Sequence, residues 1–287
     1  MLEELIITMR PKQWYKNFIL FISIIFSHNI GNLEMWSIVI SAFIIFCILS
    51  GGEYIINDII DLEKDKNHPK KQKRPIASGK FKVIHALIFA IILIIGGIIA
   101  SYFINIPFMI LSISYVLLIL LYSLLLKHII IVDLLVISIG FVIRAIAGGV
   151  AINVIISPWL IVCTFLLALF LAIAKRRHEV ILLGDEGKNH RKILSEYSTI
   201  ILDQIMSITT AALIISYSMY TFLSNNYYLM LTIPFAIYGI FRYIVLVHTS
   251  NFGGEAEMLF KDKGMQICMV LWGVTAIVVL YKGNFGL

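Results

Sequence analysis

The stretch Gly51–Lys80, GGEYIINDIIDLEKDKNHPKKQKRPIASGK, carries the residues best suited to chemistry. Asn57, Asp61 and Asp65 recur every fourth position, and Asp58 stands three before Asp61. On a helix that spacing puts all four on one face, over about two turns. Three carboxylates on one face repel each other unless something positive sits among them. Oxygen-only ligands favour Mg²⁺, which keeps waters and shares its shell with substrate phosphates. Asn57, Asp58, Asp61 and Asp65 are therefore expected to bind Mg²⁺ and, with it, a diphosphate. The plainer alternative is an acidic helix end paired with Lys64, Lys66, Lys70, Lys71, Lys73 and Arg74. The position favours the metal–phosphate reading, because acids where a hydrophobic helix leaves the bilayer are functional by default.

Composition sets the class. Of 287 residues, 60% are hydrophobic and 14% charged, and the mean hydropathy is +0.94. A soluble domain would carry about a quarter charged residues, so this is a polytopic membrane protein. The net charge of +6 and pI near 9.1 report topology in such a chain, and no nucleic-acid partner is expected. Cys47, Cys163 and Cys268 lie in apolar stretches without disulfide-scaffold or zinc spacing, and read as small core residues. No signal peptide is evident, because the first residues are charged and amphipathic.

The elements that must position the acids follow in order. Residues 1–17 read as an interfacial helix interrupted at Pro11. Nine apolar stretches follow, at 18–33, 36–56, 83–103, 107–126, 130–152, 157–174, 200–223, 227–247 and 266–282, each near the length that crosses the bilayer. The expected fold is all-α, a single domain over 1–287 built as a bundle of nine transmembrane helices. The connections alternate in charge: Asn57–Lys82 and Lys175–Thr199 are rich in Lys and Arg, whereas His28–Glu34, Ser101–Ile106, Asn153–Ser157 and Ser224–Tyr228 carry none. The positive-inside rule then puts the N-terminus and the active-site loops in the cytoplasm and the C-terminus outside, in the plasma (inner) membrane.

Other candidates lie at the same face. Arg10-Pro11-Lys12-Gln13-Trp14-Tyr15-Lys16-Asn17 brings three cations to the mouth of the first span, with Lys16 and Asn17 nearest the membrane. The alternative there is headgroup anchoring. Arg74 can grip phosphate bidentately, with Pro75 fixing its position. Tyr122 and Lys127 end the fourth span, where snorkelling or an aromatic belt would also explain them. Asp133 and Arg144 are charges inside the fifth span that could share a face without touching; the glycines after Arg144 suit close helix packing. Lys175, Arg176, Arg177 and Glu179 end the sixth span, with Lys175 and Glu179 spaced as an i,i+4 pair. Arg191 and Tyr197 could belong to a lid, and the Gly253–Glu257 loop is assigned no chemistry.

An acidic face, flanking cations and a wide apolar bundle suit an enzyme that splits a diphosphate beside the membrane and joins the fragment to a lipid. At these residues the chain resembles the UbiA-type intramembrane transferase superfamily, through Asn57-Asp58-x-x-Asp61-x-x-x-Asp65 and Tyr122 with Lys127. The second acidic motif expected after span six is missing, and Lys175-Arg176-Arg177-His178-Glu179 stands there instead. That departure, with the 10–17 segment, the Arg74-Pro75-Ile76-Ala77-Ser78-Gly79 run and Gly239-Ile240-Phe241-Arg242-Tyr243, looks like the decaprenyl-phosphate phosphoribosyltransferase-like branch. The resemblance implies Mg²⁺-dependent transfer of 5-phosphoribose from phosphoribosyl diphosphate to a polyprenyl phosphate. It implies Asp58, Asp61 and Lys127 as catalytic, and Lys16, Asn17, Arg74, Tyr122, Arg144, Lys175, Arg176, Arg177 and Glu179 as substrate-binding. An aromatic prenyltransferase and a transporter are the rival readings; a homo-oligomer stays open.

Overall fold

A computed structural model describes residues 2–69, 71–183, 196–224, 226–249 and 261–281. Every regular element among them is helical. Eight helices are long and apolar enough to cross a membrane, and the chain is an integral membrane protein. It divides into two compact units, Met1–Ile155 and Ile156–Leu287.

In the first unit, α1 (Leu2–Thr8) leads into a 3-10 helix (Pro11–Phe21) and a short α2 (Ile22–Phe26). The span expected at 18–33 is thus not one helix of crossing length. The apolar run is cut at Ser27-His28-Asn29, where His28 turns to φ 62°. The break at Arg10-Pro11 falls where proline forbids continued helix. α3 (Leu33–Ile60) starts from an Asn32 side chain that accepts the Met35 N–H at 3.1 Å. A single-turn α4 (Leu62–Lys66) continues it past Asp61. The backbone still bonds Asp61 N–H to Asn57 and Asp65 N–H to Asp61, at 2.9 and 2.8 Å, so the acidic face survives the junction. α5 (Val83–Tyr102), α6 (Ile106–Leu124) and α7 (Val132–Ala151) complete the unit, α5 packing on α3 and α6 on α7.

Two apolar clusters fix this arrangement. Leu20, Phe46, Leu49, Phe108, Tyr115 and Ala147 join the 3-10 helix to α3, α6 and α7. Leu5, Ile55, Ile76, Phe81, Ala86 and Ala90 join α1, α3 and α5 to the basic loop. Burial of Pro75, Ile76 and Phe81 pins that loop. Its backbone closes through Ser78 N–H to Arg74 and Phe81 N–H to Pro75, and Gly79 takes φ 76° at the turn. Ile84, Ile88, Ile91, Ile95 and Ile99 of α5 stay exposed at helical spacing, the signature of a lipid-facing stripe.

The second unit holds α8 (Pro158–Leu183), α9 (Thr199–Leu223), α10 (Ile233–Thr249) and α11 (Lys263–Tyr281). α8 packs on α9, and α10 on α11. α8 runs beyond the expected end at 174, so Lys175–Glu179 is helical.

The glycines after Arg144 do allow close packing. A Cβ on Gly148 would lie 2.2 Å from the Leu20 carbonyl oxygen and 2.9 Å from the Leu20 Cα. Backbone cannot yield as a flexible side chain can. Gly148→Ala should therefore destabilise the protein by about 1–3 kcal/mol or more, read as a lower melting temperature in detergent. Gly96→Ala, with open space around its Cβ, is the control and should not lower it.

Candidate active site

The acids of α3 and α4 are brought together with cations from three other segments. Asp58 and Asp65 are buried. Arg74 Nη1 lies 3.0 Å from Asp58 Oδ1 and 2.5 Å from Asp65 Oδ2, so one guanidinium nitrogen bridges both carboxylates. Arg10 also donates to Asp58 Oδ1, and its guanidinium sits 4.9 Å over the Tyr54 ring. Lys127, only 2% exposed, bonds Asp61 Oδ1 at 2.8 Å. The fold sets each cation. Arg10 adopts φ 53° immediately before Pro11, a left-handed conformation that is costly for a side-chain-bearing residue. Arg74 leads into the buried Pro75-Ile76 pair, and Lys127 sits in the 3-10 turn that links α6 to α7.

The plainer reading of the acids named Arg74 correctly, but Arg10 and Lys127 supply the remaining charge. Among the described residues no three His, Cys, Asp or Glu side chains converge on a common point. In this arrangement Asp58, Asp61 and Asp65 are each neutralised by a cationic side chain. The donor set still suits a hard cation. Among the described residues, Asp58, Asp61 and Asp65 each direct one oxygen to a cation and leave the other without a hydrogen-bond partner. Mg²⁺ commonly takes only one or two carboxylates and completes its shell with water and phosphate.

The other expected residues are distributed as follows. Asn17 is buried and donates through Nδ2 to Cys47 Sγ and Ser50 Oγ, both at 3.3 Å. Lys16 and Tyr122 are half-buried. Arg144 is buried in α7, and its Nη2 donates to Tyr115 Oη at 2.6 Å and its Nη1 to the Gly140 carbonyl at 3.1 Å. It stacks on Tyr115 and Phe141 and does not bond Asp133, as the spacing required.

In the second unit, Arg176 is buried and bonds Glu179 at 2.5 Å, an i,i+3 pair beside the expected Lys175–Glu179 spacing. Arg177 grips Asp203 of α9 with two bonds, at 2.6 and 3.3 Å. Arg177 thus ties α8 to α9, and Asp203 is a partner the sequence did not single out. Lys175 is exposed. Arg242, from the Gly239–Tyr243 motif, binds Asp262 bidentately at 3.1 and 2.8 Å. Tyr197 is buried. Lys70, Arg191 and the Gly253–Glu257 loop lie outside the described residues.

Residues 18–276 match the UbiA prenyltransferase family, and the chain belongs to that family. It is 30% identical to a decaprenyl-phosphate phosphoribosyltransferase of Mycolicibacterium smegmatis, across 96% of this chain and 92% of that one. A decaprenyl-phosphate phosphoribosyltransferase of Corynebacterium glutamicum is 31% identical, across 97% and 87%. Among solved structures, a UbiA homologue from Archaeoglobus fulgidus bound to DMAPP and Mg²⁺ superposes with a TM-score of 0.75 at 15% identity, covering 96% of this chain and 99% of that one.

Two outcomes follow. Removing Asp61 leaves the buried Lys127 charge short of its carboxylate, so Asp61→Leu should cost about 3 kcal/mol. The double variant Asp61→Leu/Lys127→Met should recover most of that loss in a denaturation cycle; simple additivity would contradict the pairing. Elsewhere, the Arg242 guanidinium and the Met265 N–H hold the Asp262 carboxyl below its usual 3.8. A lowered folded pKa stabilises above the unfolded value and is lost as pH falls through the folded one. Melting temperatures of the parent and Asp262→Asn should therefore differ at neutral pH and converge below that value.

Proposed function

We propose that this chain is a Mg²⁺-dependent transferase that moves 5-phosphoribose from phosphoribosyl diphosphate to a polyprenyl phosphate, releasing diphosphate. The observation that carries the reading is the acid–guanidinium network of Asp58, Asp65, Arg10 and Arg74. Both arginines are a quarter exposed, and each has guanidinium N–H groups beyond those its carboxylates take. The acids hold the cations in place, and the outward donors suit a diphosphate. The names of relatives spanning nearly the whole chain support the ribosyl donor and the lipid acceptor. So does Lys175-Arg176-Arg177 in place of a second acidic motif, because a 5-phosphate would be repelled by carboxylates there.

Asn57, Asp58, Asp61 and Asp65 are the residues that would hold Mg²⁺, which when bound neutralises charge on the leaving diphosphate. Arg10 and Arg74 orient that diphosphate, and Lys127, oriented by Asp61, meets the charge that develops on it. Lys16 and Tyr122 border the donor. Arg144 offers a buried cation for phosphate, and Lys175, Arg176, Arg177 and Glu179 bind a phosphate or order the cations that do. An oxygen of the acceptor phosphate, already anionic, attacks the anomeric carbon while the bond from that carbon to diphosphate breaks. No strong general base is needed. Attack from the opposite face inverts configuration through an oxocarbenium-like state. The basic ends of the helices face the cytoplasm, with the protein in the plasma (inner) membrane.

The test uses purified protein, Mg²⁺, polyprenyl phosphate and donor labelled in the ribose. Label should enter the lipid fraction, disappear with EDTA, and fall by about 100-fold or more with Asp61→Ala. Transfer from a prenyl diphosphate to an aromatic acid, with no lipid label, would contradict the reading.

A further inference from the structure

The acidic face of α3 has a polar continuation that runs back along the membrane-spanning helix and is buried within the protein. Cys47, Ser50, Glu53 and Asn57 recur at spacings of three and four, so they share one side of the helix. Glu53 lies one turn below Asn57, about 6 Å deeper. It is 2% exposed, and neither carboxyl oxygen has a hydrogen-bond partner among the described residues. Asn17 faces the same stripe from the 3-10 helix. Its Nδ2 is spent on Cys47 and Ser50, and its buried Oδ1 has no hydrogen-bond partner among the described residues. Tyr115 of α6 packs its ring on Phe46 of the same helix as Glu53, 5.3 Å between centroids, and its hydroxyl accepts from Arg144. The buried Arg144 Nε likewise has no hydrogen-bond partner among the described residues.

Leaving such groups buried and unpaired is costly, about 1–3 kcal/mol each and more for a charge. Their chemistry indicates what would satisfy them. Glu53 and the Asn17 Oδ1 offer acceptors, which repel phosphate oxygens but take hydrogen bonds from hydroxyls. Arg144 offers only donors, which take phosphate oxygens. A prenyl tail, with no hydrogen bonds to give, would leave every one of these atoms unpaired. A sugar phosphate answers all of them. A carboxylate on ribose hydroxyls is also a common mode of ribose recognition.

We propose that Glu53, assisted by the Asn17 carbonyl oxygen, binds the vicinal hydroxyls of the donor ribose one turn below the diphosphate face, and so selects a ribosyl donor over a prenyl one. This rests on the phosphoribosyl-transfer reading above and adds the sugar subsite to it.

The test compares the ribosyl donor with its 2-deoxy and 3-deoxy analogues in the parent enzyme, Glu53→Leu, Glu53→Gln and Asn17→Leu. The parent should prefer the full donor over at least one analogue by about 10- to 100-fold in kcat/KM, the worth of a hydrogen bond to a charged group. Glu53→Leu should bring that ratio down to within about threefold of unity, with the KM for the lipid acceptor unchanged. A merely structural role would lower activity on all donors equally and keep the ratio. If Glu53→Leu does not fold, the near-isosteric Glu53→Gln decides: an intermediate ratio supports the assignment, and the parental ratio overturns it. An undiminished ratio in a folded, active Glu53→Leu overturns the sugar subsite alone. A parent enzyme that transfers no phosphoribose from any donor overturns the underlying reaction and the subsite with it.

Discussion

The bridge from Arg74 to Asp58 and Asp65 is the interaction on which the rest of the site depends. Two buried carboxylates one helical face apart would drive each other out of the fold or into their neutral forms. One guanidinium nitrogen between them removes that conflict, and Arg10 adds a second cation on Asp58. The arrangement is reciprocal. The acids need the cations to stay buried, and the arginines, held by one edge, keep the other edge for an anion. Lys127 and Asp61 repeat the device nearby with a single pair.

That dependence explains features of the fold that otherwise look unrelated. The left-handed turn at Arg10, the buried Pro75-Ile76-Phe81 anchor of the basic loop, and the 3-10 turn at Lys127 all end at the acidic face. Each delivers one cation from a different segment. The apolar cluster of Leu5, Ile55, Ile76 and Phe81 includes residues of the loop itself and so anchors it to α1 and α3. Gly148 lets the 3-10 helix approach α7 closely, which seats Asn17 against α3.

Much of this is legible in the sequence, for identifiable reasons. The four-residue spacing of Asn57, Asp61 and Asp65 defines a face whatever the exact helix ends. Arg74 before a proline and Lys127 at the end of a span stand out as fixed cations. The eight long helices follow from length and hydropathy. Three things were not legible. Within the 10–17 segment, spacing does not say that Arg10 is the cation that reaches Asp58; only the Arg-Pro pair hints at a fixed backbone there. The apolar stretch beginning at residue 18 has the composition of a span, but Ser27-His28-Asn29 ends its helix early. Glu53 is hidden in a hydrophobic run. The rule that flagged Asp133 and Arg144, that a charge inside a span needs a reason, applies to it with equal force. Asp203 shows the general limit: an ion pair between helices is set by tertiary packing, which local spacing does not encode.

Equilibrium binding of phosphoribosyl diphosphate to the purified protein, followed across a range of Mg²⁺ concentrations, tests the central claim most directly. The acid–guanidinium site predicts saturable binding that tightens with Mg²⁺ and is lost in Arg74→Ala, with prenyl diphosphate a weak competitor. Binding of prenyl diphosphate in preference to the ribosyl donor, or ribosyl binding indifferent to Arg74, would contradict it.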